Sequence, residues 1–406
     1  MNEGRSREVD LQEEWRGMQR RIVHLLEGDQ KSDFADEILE LDPRVYTDPK
    51  RFEAERKKIF LEGPMLVGLS GELSEPGDRI LFDAAGPPIL VIRGEDGALR
   101  AFLNMCTHRG ARLVSNCDPA KQLLCPFHGW VFDLEGRLAS MPLKHAFEGM
   151  GDEARGLIRV PVAERHGMVF VRVRPLEGGG EELDLEDFLG PIGPLLDALQ
   201  LDTLRLIRAD RIEAHTNWKL ALDMGREVYH VPAVHKNTIA ANLYPHVAIF
   251  DCYGTHSRFS GGSKDFAALV GKPEAEWPAM NYQAVHYLFP NTTLSFTHSF
   301  DTETPVVTMS RIFPGESIGE AVTLLATYRR GEAKHVADEQ ISAMHEAVVG
   351  IVGTEDYDVA HTVWKSIEHG SPGIPFLLGR NELLVQRYHR EIADRIGMPL
   401  PERGRG

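Results

Sequence analysis

Two short segments of this 406-residue chain each set a cysteine beside a histidine: Cys106-Thr-His108-Arg-Gly-Ala-Arg and Cys125-Pro-Phe-His128-Gly-Trp. Sixteen residues separate His108 from Cys125. Each segment offers one thiolate and one imidazole, so any fold that uses all four must bring two loops together. Gly110 and Gly129 let the backbone curl tightly after the histidines, and Pro126 stiffens the second loop. Four cysteines are too few for a disulfide framework in a chain of this length, and the short Cys–His spacing points to metal chemistry.

Two kinds of centre accept two Cys and two His. A [2Fe–2S] cluster with two Cys on one iron and two His on the other takes one ligand of each kind from each loop. A structural zinc site takes the same four residues, but zinc fingers order them as a Cys pair followed by a His pair. Here the types alternate, which favours the iron–sulfur reading. Cys117 and Cys252 read as reduced, partly buried thiols.

A second constellation runs from Asn217-Trp-Lys through Asp223, Met224, Glu227 and His230 to Pro232 and His235. Helical spacing puts Asp223, Glu227 and His230 on one face, at i, i+4 and i+7. On an unbroken helix His235 would sit about 140° from His230. Pro232 is read as ending that helix, so that the chain turns and returns His235 to its partner. Two histidines and one carboxylate with open positions opposite describe a non-heme Fe(II) site that activates O2.

The texture of the chain changes around these motifs. Residues from about 10 to 62 read as helical, with a break at Leu41-Asp42-Pro43; DFADEILEL and PKRFEAERKKIFLEG both show helix-like apolar spacing. From about 65 to 175, short alternating runs such as RILFD, PILVIRG, LRAFLN and MVFVRVRP indicate a small all-β domain. Gly178-Gly179-Gly180 reads as a linker. Strand-like AVHYLFP, TTLSFTHS, PVVTMSRIF and AVTLLATY suit an antiparallel sheet, and a helical tail follows from about 332 to 396, interrupted near Ser371-Pro372-Gly373. The expected divisions are 1–62 (helices packing with the catalytic domain), 63–176 (cluster domain) and 177–406 (catalytic domain).

With 61 acidic against 45 basic residues, the net charge of −16 argues against nucleic acid or anionic membrane as partner. The polar, acid-bearing N-terminus is not a secretory signal, which makes the cytoplasm the default location.

Both motifs resemble those of Rieske non-heme iron oxygenase alpha subunits. CPFHGW is similar to the oxygenase and ferredoxin branch of Rieske proteins; Ala111 and Phe127 stand where cytochrome-type members carry a disulfide. The resemblance implies an α+β fold, with an all-β Rieske domain and a helix-grip (START/SRPBCC-like) catalytic domain built on an antiparallel sheet. It implies that Cys106, His108, Cys125 and His128 hold the [2Fe–2S] cluster and that His230 and His235 ligate a mononuclear Fe(II). Glu227 becomes a bridging carboxylate between His230 and a Rieske histidine across a subunit boundary, with Asp223 a second candidate catalytic acid. Met224, where many members carry Asn, makes the pocket wall more apolar. Thr354-Glu355-Asp356-Tyr-Asp358 begins a helical stretch and resembles the family's late Glu-Asp motif, so Asp356 is expected to complete the iron site, with Asp358 and Glu355 as alternatives.

The implied function is that of a terminal oxygenase with O2 as co-substrate, hydroxylating a small organic, aromatic or polycyclic, substrate. O- or N-demethylation is the alternative, and a non-catalytic electron-transfer Rieske protein a more distant one. The cluster moves one electron at a time and hydroxylation consumes two, so a separate ferredoxin or reductase is implied. A homotrimer is expected, with a beta subunit left open. Arg109, Arg112 and Lys121 crowd the cluster loops and read either as a docking patch for an acidic donor or as ordinary solvated charges.

Overall fold

A computed structural model describes residues 9–150, 155–174, 183–299, 305–331, 336–370 and 373–401. The triple-glycine linker and Ser371-Pro372 lie outside the described residues. The chain forms two compact units, one of Arg56–Gly190 with Gln200–Arg205, the other of the chain up to Glu55 with Pro191–Leu199 and the chain from Leu206 onward. These divisions differ from those drawn at 62/63 and 176/177.

The first unit is built on β-strands, with short helical segments such as Arg56–Leu61 and Leu185–Leu189. Arg79–Phe82, Ile89–Arg93, Leu99–Leu103 and Arg159–Val160 pair in that order, and Met65–Leu69, Met168–Val171 and Val162–Arg165 make a second sheet. Leu123–Leu124, Val131–Phe132 and Leu138–Ser140 form a third, smaller sheet. Every pairing is antiparallel, as short strands joined by tight turns require. The Glu95-Asp96-Gly97 and Glu135-Gly136 turns each end on a glycine at positive φ, +77° and +82°.

The second unit is organised on a seven-stranded sheet in the order Leu204–Ala214, Ala321–Arg330, Pro305–Pro314, Thr292–Ser299, Val285–Leu288, His256–Ser263, Leu243–Tyr253. Side chains alternate across it. Val247 and Ile249 meet the helix Leu11–Glu27 through Trp15, Met18 and Ile22, a stripe spaced three and four residues apart. Asp10 caps that helix by accepting from the amides of Gln12 and Glu13. Ala248 and Phe250 face the opposite way, toward Val285, Tyr287, Val228 and Leu384. Helices Asp338–Ile351, Tyr357–Ile367 and Leu383–Ile396 complete the unit. Among the described residues no helix is long and apolar enough to cross a membrane.

Several local expectations fail. DFADEILEL is not helical; Leu39–Leu41 is a strand paired antiparallel with Phe376–Leu378, and Leu41 is buried in a cluster with Val45, Trp364 and Leu378. Tertiary pairing has overridden a helix-like apolar pattern. The Thr354–Asp358 segment does not open a helix afresh: Thr354, Glu355 and Asp356 end a π-helical turn, Val352–Asp356, that continues the helix Asp338–Ile351, and Tyr357 and Asp358 begin the helix Tyr357–Ile367. Cys117 and Cys252 are exposed rather than partly buried.

Candidate metal centres

In the β unit the two cluster loops repeat one backbone pattern. The Cys106 amide donates to the Ala111 carbonyl at 2.8 Å and Gly110 to Cys106 at 2.9 Å; Cys125 donates to Trp130 at 2.8 Å and Gly129 to Cys125 at 3.1 Å. Gly110 and Gly129 sit at φ +77° and +70°, where a side chain would be strained. Asn104 ties down the far end of the first loop, exchanging side-chain hydrogen bonds with the Val114 carbonyl and amide. Beneath the loops lie Leu90, Phe102, Leu113 and Phe132. Trp130 stacks on His108 with ring centres 4.7 Å apart and planes 7° from parallel.

The four expected cluster residues come together. Cys106 and Cys125 are buried free thiols within hydrogen-bonding reach of each other, and the His108 and His128 rings are 4.7 Å apart. Nδ1 of both histidines is buried and bonds to nothing among the described residues. A buried polar atom left unpaired costs about 1–3 kcal/mol, so two such nitrogens beside two buried thiols fit a Cys2His2 cluster. Burial, then the positive neighbourhood of His128 and Arg109, lowers the His108 pKa and favours the neutral imidazole a metal needs.

The second centre is assembled from two stretches of the other unit. The helix Trp218–Asp223, capped by Asn217, ends earlier than the spacing predicts. Gly225 and Arg226 donate back to Leu222 and Asp223, and the buried Arg226 guanidinium lies over the Tyr287 and Tyr388 rings at 4.8 and 4.0 Å. This tertiary sandwich takes the chain off the helix axis, so Asp223, Glu227 and His230 do not share a helical face. Pro232 does not end a helix either. It occupies the first turn of Val231–Val234, where a missing amide hydrogen is harmless, with His230 and His235 as its flanking residues. The histidines still converge, with ring centres 5.2 Å apart.

Asp356 Oδ1 lies 3.1 Å from His235 Nε2 and 3.6 Å from His230 Nε2, and one ligand atom from each of the three residues falls within 4.8 Å of the others. The Nδ1 atoms face away. His230 Nδ1 is 2.5 Å from Glu227 Oε1 and His235 Nδ1 is 2.6 Å from Glu355 Oε2. Desolvation opposes protonation of His230, but the hydrogen bonds to Asp356 and Glu227 outweigh it and lift its pKa to about 9. Three carboxylates around two imidazoles make a negative pocket that a divalent cation would balance, and the 2-His-1-carboxylate set with open sides fits Fe(II).

The other candidates separate. Asp358 is exposed. Glu355 lies on the Nδ1 side of His235 rather than among the three converging atoms. Asp223 accepts from the Tyr46 hydroxyl at 2.7 Å and lies 2.9 Å from His389 Nε2, in a network that does not include His230, His235 or Asp356. Met224 packs against the cluster of Leu220, Ala360 and Trp364. A cavity of about 200 Å3 lies against the histidine turn, lined by Val228, Val231, Pro232, Lys236 and His246 among others. Sequence reasoning missed Glu355 as the partner of His235 Nδ1; its place next to Asp356 was the available signal.

Comparisons with known proteins agree on both parts. Residues 63–160 match the Rieske [2Fe-2S] domain, and residues 201–398 match the catalytic domain of the ring hydroxylating alpha subunit. The chain is 32% identical over 198 residues to the glycine betaine monooxygenase oxygenase subunit of Chromohalobacter salexigens, covering 47% of this chain and 42% of that protein. It is 28% identical over 245 residues to the chlorobenzene dioxygenase subunit alpha of a Cupriavidus strain, covering 57% and 54%. The matches thus span about half the length of these relatives. The crystal structure of the quaternary ammonium Rieske monooxygenase CntA with L-carnitine superposes with a TM-score of 0.72 over 88% of this chain and 95% of that one, at 22% identity, which speaks for the fold alone. A Rieske domain followed by a ring-hydroxylating catalytic domain makes this chain a member of the Rieske oxygenase alpha-subunit family.

Proposed function

We propose that the chain is a terminal oxygenase that hydroxylates a small organic molecule with O2 and two externally supplied electrons. The observation that carries this is the convergence of His230 Nε2, His235 Nε2 and Asp356 Oδ1, each histidine backed by a glutamate. When loaded, the cluster stores and passes single electrons and the mononuclear Fe(II) supplies the oxygen-activating chemistry. Cys106, Cys125, His108 and His128 would hold the first, and His230, His235 and Asp356 the second. Glu227 and Glu355 accept from the Nδ1 side of each ring, so that with a metal bound the Nδ1–H tautomer would be fixed and Nε2 left to ligate beside Asp356. One substrate C–H, one O2, two electrons and two protons give one C–OH and one water, so a ferredoxin or reductase must supply the electrons. A cytoplasmic location goes with that donor.

For the substrate, the 32% identity to a glycine betaine monooxygenase favours N-demethylation of a methylated ammonium compound. Hydroxylation of an N-methyl carbon gives an unstable N–CH2OH product that releases formaldehyde. The 28% identity to a chlorobenzene dioxygenase alpha subunit supports aromatic hydroxylation as the second reading. Glu227 is proposed as the bridge to a neighbouring subunit's Rieske histidine within a homotrimer. The test supplies iron-loaded protein with a surrogate reductase and separate panels of quaternary ammonium and aromatic compounds. Formaldehyde from the first panel supports demethylation, and ring-hydroxylated product from the second supports the alternative. Protein carrying about three irons per chain that yields neither, with no substrate-dependent O2 uptake, would sink the oxygenase reading.

A further inference from the structure

Adjacent acids grip both nitrogens of a single imidazole. Glu355 Oε2 is 2.6 Å from His235 Nδ1, while Asp356 Oδ1 is 3.1 Å from Nε2 of the same ring. On a regular α-helix, neighbouring residues project about 100° apart. Here both acids belong to the π-helical turn Val352–Asp356, a widened turn of the kind that gathers at functional sites. Thr238 closes the arrangement from the histidine's own segment. Its hydroxyl donates to Glu355 Oε2 at 2.8 Å, and its amide donates to the His235 carbonyl at 3.0 Å.

We propose that Glu355, braced by Thr238, is the positioning residue that sets metal affinity at the mononuclear centre, by locking His235 and fastening the histidine turn to the helix that supplies Asp356. The inference rests on the reading of His230, His235 and Asp356 as metal ligands. Glu227 and Glu355 differ in reach. Glu227 bonds the amides of Tyr229 and His230 along with His230 Nδ1, all within three residues of itself, so it orders one loop. Glu355 joins residues 120 apart in sequence. Without it, His235 is free to rotate and the turn loses a direct tie to the third ligand. The ligands then have to be reassembled each time a metal binds.

The test is Co(II) binding by equilibrium dialysis of enzyme whose Rieske cluster is intact, with the cluster absorbance read in the same samples. Glu355→Ala is expected to weaken binding about 10–100-fold, in line with the loss of other hydrogen-bonding partners of metal-bound histidines. Glu355→Gln keeps an acceptor for Nδ1–H and should recover part of the loss, which a purely space-filling role would not require. Thr238→Val should weaken binding severalfold. Affinities within twofold of the parent in Glu355→Ala and Thr238→Val would overturn the proposal. If Glu355→Ala loses its cluster absorbance, the Thr238→Val result decides, since it removes only one hydroxyl. A parent protein that binds no Co(II), or a His235→Ala variant that binds it equally well, overturns the ligand assignment itself rather than the role of Glu355.

Discussion

The cluster loops and the mononuclear site both rest on paired histidines, but they turn opposite nitrogens inward. At the cluster loops Nδ1 of His108 and His128 is buried without a partner among the described residues. At the mononuclear site Nδ1 of His230 and His235 is taken by glutamates and Nε2 converges on Asp356. The difference suits two tasks. A histidine with no carboxylate behind it leaves its outer edge available to a partner, as electron exchange requires. A histidine backed by a carboxylate is oriented and more basic, as retention of a divalent ion with open positions requires.

The largest expected effect is a double dissociation between the two sites. Cys125→Ser should abolish the Rieske absorbance and the EPR signal of the reduced protein while leaving metal uptake at the mononuclear site. His235→Ala should keep that absorbance and abolish turnover. Loss of the cluster spectrum in His235→Ala would show that the two histidine pairs are not separate centres.

The same contrast governs what could be read from the chain. Each cluster loop carries its ligands within four residues, so local spacing reports the site directly. His230 and His235 are nearly as local, and their approach was expected, but for the wrong reason. The kink lies at Met224–Tyr229, where Arg226 is held between Tyr287 and Tyr388, and Pro232 starts a turn instead of stopping one. Neither tyrosine is near in sequence. Asp356 was suggested by resemblance alone, since nothing in an acid-rich segment says which carboxylate faces a histidine 121 residues away. Leu39–Leu41 shows the same limit. Its pairing partner lies over 300 residues downstream, and only that partner makes it a strand.

Glu227→Gln probes whether the Nδ1 carboxylate matters beyond holding its histidine. It removes the charge from the 2.5 Å contact with His230 while keeping the shape. Turnover should fall about 10–100-fold with both metals loaded. Oxidation of the pre-reduced cluster in a single turnover should slow in parallel. A fall in turnover with unchanged cluster oxidation would confine Glu227 to the mononuclear site and remove it from the electron path.

His286 supplies the control, a buried histidine with no carboxylate partner among the described residues. It lies in the core of the sheet unit, with Nε2 3.0 Å from the Tyr282 hydroxyl and Nδ1 bonded to none of the described residues. Burial, aided by Arg258, pushes its pKa down to about 3. Above pH 6.5 the ring is neutral folded and unfolded, so it makes no pH-dependent contribution. As pH falls from 6.5 toward 3 the unfolded chain takes up a proton that the folded one refuses, and stability drops by up to about 1.4 kcal/mol per pH unit. His286→Gln should therefore show a shallower loss of urea stability between pH 6 and 4, whatever its stability at pH 7. An unchanged slope would mean the ring is protonated in the fold.

The smallest effect concerns the outer edge of the cluster. Arg109 lies over the Phe127 ring at 5.3 Å, and Phe127 is 54% exposed. Arg112 reaches Asp83 at 3.4 Å, a pair too exposed to contribute much to stability. If the edge opposite the buried Nδ1 atoms is where an acidic donor approaches, Arg112→Glu should slow cluster reduction only severalfold, because rim charges act mainly on encounter rate. The slowing should fade as salt rises and screening shortens the reach of the charge. Stopped-flow reduction at two ionic strengths decides it. Equal rates for parent and variant at low salt would leave Arg112 an ordinary solvated charge, and the donor's approach would have to be sought on another face of the β unit.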